Sequence, residues 1–486
     1  MNKRETIPHW LTKQAGLHPN KTAVELVDGS KLTFKQLQEK SASFARRLAS
    51  LNVEKGSPVA ILSTNNLDMI VAIHALSYLE AILVLLNTRL TKHELMDQLT
   101  RSEATLLLTT ESLMEEKQLP FTEQYTFSKL HEQKEKEVLL ADEINLHTPF
   151  TMMYTSGTTG APKGVVHTYG NHWWSAVGSV LNLGLHDKDK WLLTLPLFHV
   201  GGLSILIRSV MYGMTVYFME RYDVKVLREA LYERGVTIAS LVTLMLQQLL
   251  EEMQGEPLPK DVRCILLGGG SVSASLLERV EKQEVPLFQS YGMTETSSQI
   301  VTLSAAYARE KSGSAGKALV PANVAISNPD DEGVGEIIVK GPMVFTGYHQ
   351  LPTENEKAFS DGWFHTGDLG YLDQDGFLYV VDRRNDLIIS GGENIYPSEI
   401  EDVLVEFPPI KEAAVVGKKD EKWGQVVVAF VVTKAKFNDE KLLVFLKERL
   451  ASYKLPKEII RINELPRNAS NKVMRHRLAE EINNRK

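Results

Sequence analysis

The 486-residue sequence holds a single cysteine, Cys264, so no disulfide can form within the chain and a disulfide-stapled secreted scaffold is excluded. Cys264 stands in the apolar run VRCILL, the setting of a buried strand residue and not of a nucleophile. Basic residues are in the minority. Lys and Arg number 54 against 61 Asp and Glu, and the net charge of −7 argues against a nucleic-acid binder. Long hydrophobic runs are also missing. The N-terminal MNKRETIPHWLTKQAG contains no apolar core of signal-peptide length. The most apolar segment, 69–86, is interrupted by His74, Tyr78 and Glu80, and a membrane span would carry Glu80 at a cost of about 3 kcal/mol. A buried helix followed by a buried strand is expected there, with no membrane span and a cytoplasmic location. Hydrophobic residues at 43% and charged residues at 24% are the balance of a globular chain, and its length calls for two or more domains.

What is present alternates. Thr33 and Gln36 have the spacing of a capping box, and Phe34, Leu37, Phe44, Leu48 and Leu51 follow at roughly helical intervals. Short apolar runs at 59–62, 82–86, 105–108, 191–195, 237–242 and 264–267 read as strands, with helical patterns between several of them, as at 244–253. This alternation predicts mostly parallel sheets covered on both faces, with ligands gathering at the carboxyl ends of strands. From Gly333 the texture changes to short strands and hairpin turns: EIIVKG, DGWFHTGD, DQDGFLYVVD. Beyond the polar RRND lies a domain-sized region with helices expected at 397–405 and 439–450 and strands at 413–416 and 426–432. The boundary is placed at 382–386.

Five segments have compositions that do not serve packing. YTSGTTGAPKG, 154–164, follows a short strand expected at 150–154; its glycines and hydroxyls can turn donors toward polyphosphate oxygens, and Lys163 adds a mobile point charge. It is not a Walker A loop, because Pro162 falls where the second glycine belongs and Gly164 where Ser or Thr belongs. SYGMTET, 290–296, after the strand-like VPLFQ, offers one carboxylate, Glu295, enough for Mg²⁺ that shares phosphate oxygens and waters. In HTGD, 365–368, an aspartate after a tight glycine turn can accept hydrogen bonds from ribose hydroxyls, although an ordinary Asx turn has the same appearance. RRNDLIISGGENIYPSEIE, 383–401, carries a glycine pair that permits close approach. PRNASNKVMR, 466–475, places Lys472 in a small polar loop.

In this order, together with LFHVGG at 197–202 and GGG at 268–270, these segments resemble the acyl-adenylate-forming superfamily of acyl- and aryl-CoA synthetases, luciferase and adenylation domains, over nearly the whole chain. The resemblance implies an α/β fold: a large N-terminal domain, 1–384, with several subdomains of mostly parallel sheets flanked by helices plus a smaller β-barrel-like part, and a small mobile α+β C-terminal domain, 385–486. It implies a two-step reaction. A carboxylate attacks the α-phosphate of ATP to give acyl-AMP and pyrophosphate, and CoA then takes the acyl group and releases AMP. Thr155, Ser156, Gly157, Thr158, Thr159, Gly160 and Lys163 would handle the phosphates. Thr294 would contact the α-phosphate and Glu295 would hold Mg²⁺. Gly268, Gly269, Gly270 and Tyr291 would frame the adenine, with Gly292 and Met293 beside it, while Asp368 and Arg383 would take the ribose. Lys472 would bridge the carboxylate and the α-phosphate, then withdraw as the small domain turns about Asn385 and brings Gly391 and Gly392 to the CoA tunnel. His199 matches the position that gates the acyl pocket. Two positions depart from the usual pattern: the hinge is Asn385, where Asp or Lys is customary, and Asn471 replaces the glycine before the lysine.

Within the superfamily, HWLTKQAGLHPNKTAVEL and LPLFHVGGLSILIRS resemble the o-succinylbenzoate–CoA ligases of the menaquinone pathway. That acid carries a second, remote carboxylate, which an apolar pocket must pair or reject. Arg208, in the strongly apolar helical run LSILIRSVMYGM nine residues beyond His199, is the candidate partner, with His199 and Gly292 the other residues expected at the acyl substrate; an arginine snorkelling at a helix surface is the alternative. Another aryl- or fatty-acid–CoA ligase would share the nucleotide motifs, and a stand-alone adenylation enzyme would load a carrier protein instead. A non-catalytic sensor would be expected to lack Lys472 or Glu295, and both are present. Homo-oligomerisation is left open.

Overall fold

The computed structural model describes residues 5–156, 162–268, 274–382, 387–434, 438–467 and 473–483. Two large sheets, parallel at their centres and antiparallel at their edges, form the body. In the seven-stranded sheet, Pro149–Ser156, Ile82–Leu86, Pro58–Leu62, Leu106–Thr109 and Gln124–Thr126 run parallel, and Pro162–Thr168 and Gly347–Tyr348 close one edge antiparallel. In the nine-stranded sheet the parallel stretch is Leu287–Met293, Cys264–Leu267, Ile238–Leu241, Lys190–Leu193, Thr215–Phe218 and Thr22–Leu26. These central strands are apolar on both faces because helices cover both, as a parallel sheet requires. Leu267 and Leu241, for example, pack under the helix Thr243–Glu252 through Leu246 and Leu249.

Local chemistry sets the helix starts. Thr33 and Gln36 form the expected capping box on the helix Phe34–Ser50, which buries Phe34, Leu37, Phe44 and Leu48. The segment 69–86 is the expected buried pair: helix Leu67–Tyr78, which buries every residue from Met69 on, then strand Ile82–Leu86. Cys264 is buried in its strand. No helix among the described residues is long and apolar enough to cross a membrane.

A five-stranded antiparallel sheet, Asn323–Ser327, Gly335–Lys340, Trp363–Leu372, Phe359–Ser360 and Leu378–Asp382, supplies the smaller β part. The last sheet, built on the long hairpin Ile410–Asp420 and Gly424–Thr433, has its own core, with Ile400, Leu404 and Leu442 packed on Val415 and Val431. The second helix there is Asp439–Lys447, shorter than the expected 439–450: Leu450 lies past its end but still joins the core of Leu442 and Leu446, while Ala451 joins the large-domain cluster of Leu90, Leu95 and Leu99. Among the described residues, no sheet combines strands from residues up to Asp382 with strands from Ile388 onward.

Candidate active site

The strand ends of the two large sheets and the small domain surround a cavity of about 340 Å³. Thr155, Gly268, Gly292, Met293 and Thr294 line it from the large sheets, His199 and Arg208 from the helix Val200–Tyr212 and its start, and Gly391, Gly392 and Glu393 from the small domain. The expected nucleotide, acyl and CoA elements thus meet at one place. Gly157, Thr158, Thr159, Gly160, Gly269, Gly270, Arg383, Asn385, Asn471 and Lys472 lie outside the described residues.

The phosphate-loop segment departs from its expected form at both ends. The strand before it runs on to Ser156, and Lys163 sits inside the next strand, paired in register with Thr155. Lys163 is therefore not a mobile charge: its Nζ is 2.5 Å from Glu354 Oε2 and 5.0 Å from the Tyr348 ring centre. The SYGMTET segment likewise continues its strand to Met293 before turning at Thr294–Thr296. A Cβ at Gly292 would lie 2.1 Å from the Ser298 carbonyl oxygen, so only glycine fits where this strand shifts register against the antiparallel strand Ser298–Leu303. Ser297 and Ser298 both take positive φ, 53° and 101°, a strain that keeps the segment bent into the cavity wall.

Glu295 is buried, and its Oε1 accepts from the Tyr348 hydroxyl at 3.0 Å. One ordered hard-oxygen donor beside Thr294 suits Mg²⁺, which keeps phosphate and water oxygens as its other ligands. Tyr291 is not placed to stack on a base: its ring is buried among Val165, Val301 and Ile337. Its hydroxyl donates to Asp368 Oδ2 at 2.9 Å and so aims that carboxylate. The TGD segment is not a turn. It lies in the ten-residue strand Trp363–Leu372, where Gly367 (φ 74°) takes up a register shift against Gly335–Lys340.

Behind Thr294 lies a chain of buried imidazoles that sequence reasoning missed. His167 Nε2 is 2.7 Å from the Thr294 carbonyl oxygen and so donates to it, while Thr151 Oγ1 is 3.1 Å from His167 Nδ1 and 2.8 Å from His172 Nε2. Burial holds His167 down to about 4, against the opposing pull of that carbonyl, and burial with the neighbouring His167 and Arg208 holds His172 well below the ordinary value. Burial also lowers His74 to about 4. The unfolded chain binds these protons near pH 6.5 and the folded chain does not, so this stability is complete above pH 6.5 and declines as pH falls. Denaturant titrations at pH 7 and pH 5 should therefore differ by about 2 kcal/mol for each of His74 and His167. A stability unchanged between those pH values would contradict the burial.

His199 Nε2 lies 3.3 Å from Glu393 Oε2, and Arg89 Nη1 is 3.1 Å from Glu393 Oε1. Burial pushes the Glu393 carboxyl up, but His199, Arg89 and Lys454 outweigh it and hold it below the usual carboxylate range. Glu393 follows the glycine pair directly, and no local pattern in the sequence marks it for this role. Gly391 and Gly392 turn the hairpin at φ 58° and 86°, with a Cβ on Gly391 only 2.8 Å from the Trp423 ring.

Arg208 is 2% exposed, which rules out snorkelling. Its Nη2 donates to Ser175 Oγ at 3.0 Å, its guanidinium carbon is 5.8 Å from the Trp191 ring centre, and Ser175 in turn donates to the Ser297 carbonyl. Among the described residues no carboxylate acts on its charge, and its Nε has no hydrogen-bond partner. Burial alone pulls the guanidinium below its ordinary value, Tyr212 opposing.

The model for the AMP-binding enzyme family matches residues 11–349, and that for the AMP-binding enzyme C-terminal domain matches residues 399–472. The chain is 52% identical to the 2-succinylbenzoate–CoA ligase of Oceanobacillus iheyensis, over 98% of this chain and 100% of that one. Two solved structures of the o-succinylbenzoate CoA synthetase of Bacillus subtilis are similar to it over nearly their whole length. A double mutant bound with its product analogue superposes with a TM-score of 0.93 at 45% identity, covering 98% of each chain. The complex with ATP and magnesium ion gives 0.76 at 44% identity, covering 97% of this chain and 99% of that one. With both family models matched in order around one cavity, the chain belongs to the family of AMP-binding enzymes.

Proposed function

We propose that the chain is an AMP-forming acid–thiol ligase that converts o-succinylbenzoate to its acyl-adenylate, releasing pyrophosphate, and then passes the acyl group to CoA with release of AMP. The full-length relatives support the ligase reading. The observation that carries the choice of acid is Arg208, a buried cation on the cavity wall whose neighbours are a hydroxyl and an indole ring. A buried guanidinium without an anion is costly, and the remote carboxylate of a keto-diacid would supply one.

The first step joins two anions, so the chain's work there is neutralisation and alignment; the carboxylate is already ionised at pH 7 and needs no base. Thr155 and Lys163, paired across two strands, would meet the phosphates, Asp368, oriented by Tyr291, would take the ribose, and Lys472 would bridge the α-phosphate and the attacking carboxylate. Glu295 would hold Mg²⁺, which when bound neutralises charge on the phosphates. In the second step the Gly391–Gly392 turn gives the thiol its approach beside His199. The domain division at 384/385 belongs to the same proposal: the small part must move as a unit for Lys472 and the glycine pair to act in turn.

The direct test measures pyrophosphate release from a set of carboxylic acids with ATP and Mg²⁺, with and without CoA. Turnover of o-succinylbenzoate, with benzoate and octanoate inert, is the expected result. Preference for octanoate or benzoate would overturn the choice of acid while leaving the ligase reading intact.

A further inference from the structure

A group of three buried charges lies between the two parts of the chain. Lys454, in the short turn Ser452–Lys454, is 3% exposed, and its Nζ is 2.6 Å from Glu94 Oε1 of the large domain and 2.6 Å from Glu399 Oε1 of the small one. Both carboxylates are buried. Burial raises the Glu399 carboxyl despite the attached ammonium, while Lys454, against its own burial, is raised by Glu399, Tyr453 and Glu94. Burying three charges is a weak way to add stability, since desolvation offsets most of the attraction.

Glu94 divides its two oxygens between two tasks. Oε2 accepts from Thr91 N at 2.7 Å and Thr91 Oγ1 at 2.8 Å, closing the capping box of the helix Lys92–Arg101, and Oε1 is left for Lys454. The same helix start meets the small domain twice more: Thr91 Oγ1 is 3.2 Å from the Arg449 carbonyl, and Arg89 reaches Glu393. This docking is what sets Gly391, Gly392 and Glu393 on the cavity wall. The two Bacillus structures, nearly equal in identity to this chain, differ in fit, with TM-scores of 0.93 and 0.76.

We propose that Glu94, Lys454 and Glu399 form a positioning cluster for thioester formation, registering the small domain on the start of the helix Lys92–Arg101, and that adenylate formation does not need it. The proposal rests on the ligase reading above. An ionic cluster suits a contact made and broken in each cycle: on separation every charge regains water, so the docked arrangement is specific in register without being held too firmly to release.

Glu94→Gln separates the two tasks, because glutamine still serves a capping box while its amide loses the charge that holds Lys454. Conversion of supplied acyl-adenylate and CoA to thioester should fall about tenfold or more, with pyrophosphate release in the absence of CoA within about twofold of the unaltered enzyme. Lys454→Met, which leaves the capping box untouched, should give the same split. Equal loss in both half-reactions, or no change in either, would overturn the proposal. An unaltered enzyme that forms no adenylate from any acid would instead overturn the ligase reading, and this one with it.

Discussion

Lys472→Ala is expected to abolish adenylate formation, by about a thousandfold or more, while conversion of supplied acyl-adenylate and CoA to the thioester survives. The reason is electrostatic. In the first step a carboxylate must approach a phosphorus already surrounded by anionic oxygens, and Lys163 is already paired with Glu354. A second ammonium placed between the two reacting anions serves where charge is being brought together. In the second step the adenylate is attacked by sulfur, the phosphate leaves, and a lysine between them would stand in the path of CoA. With the small domain docked through Glu393 and Lys454, that path would fall to the Gly391–Gly392 turn instead. Single-turnover measurement of each half-reaction distinguishes the cases. Parallel loss of both steps would count against alternation of the small domain, and full retention of the first would remove Lys472 from the chemistry.

The parts of this site legible in the sequence are those built from contiguous segments. Thr155 with Lys163, Gly292 with Thr294 and Glu295, and the Gly391–Gly392 pair each sit at the end of a strand, where the run of small and polar residues interrupts a hydrophobic pattern. The topology then brings those ends together, as parallel sheets do. What could not be read was every long-range partner. Glu354 for Lys163, Tyr348 for Glu295, Ser175 for Arg208 and Glu94 for Lys454 are separated by 191, 53, 33 and 360 residues, and no local pattern ties them. TGD was misread as a turn because a glycine at positive φ is demanded equally by a turn and by a bulge inside a strand. Tyr291 was assigned to a base because a tyrosine at a strand end has two faces to offer, and only the packing of Val165 and Ile337 decides which is covered. The burial of Arg208, by contrast, had a signal. The helix Val200–Tyr212 has no polar face, only glycines, serines and apolar residues around the arginine, so there is no surface to which it could extend.

That burial underlies the second large effect. Arg208→Met should raise KM for o-succinylbenzoate by about a hundredfold, the scale of losing a charge-assisted contact inside a desolvated pocket, and leave KM for ATP within about twofold. Because the guanidinium also braces Ser175 against the Ser297 carbonyl, part of any loss in rate will come from a loosened wall, and absolute activity alone does not separate the two causes. A comparison of acids does. 3-Benzoylpropanoate is o-succinylbenzoate without the ring carboxylate. The unaltered enzyme should reject it, since binding would leave Arg208 buried beside an apolar ring with no anion. The methionine variant has no charge to strand and should narrow the ratio of kcat/KM between the two acids from about a hundredfold or more to within about tenfold. Arg208→Lys should fall between them, keeping the charge but losing the planar fork that can hold both Ser175 and a carboxylate. A ratio that stays fixed across the three proteins would reduce Arg208 to a packing residue and move the recognition of the second carboxylate elsewhere on the cavity wall.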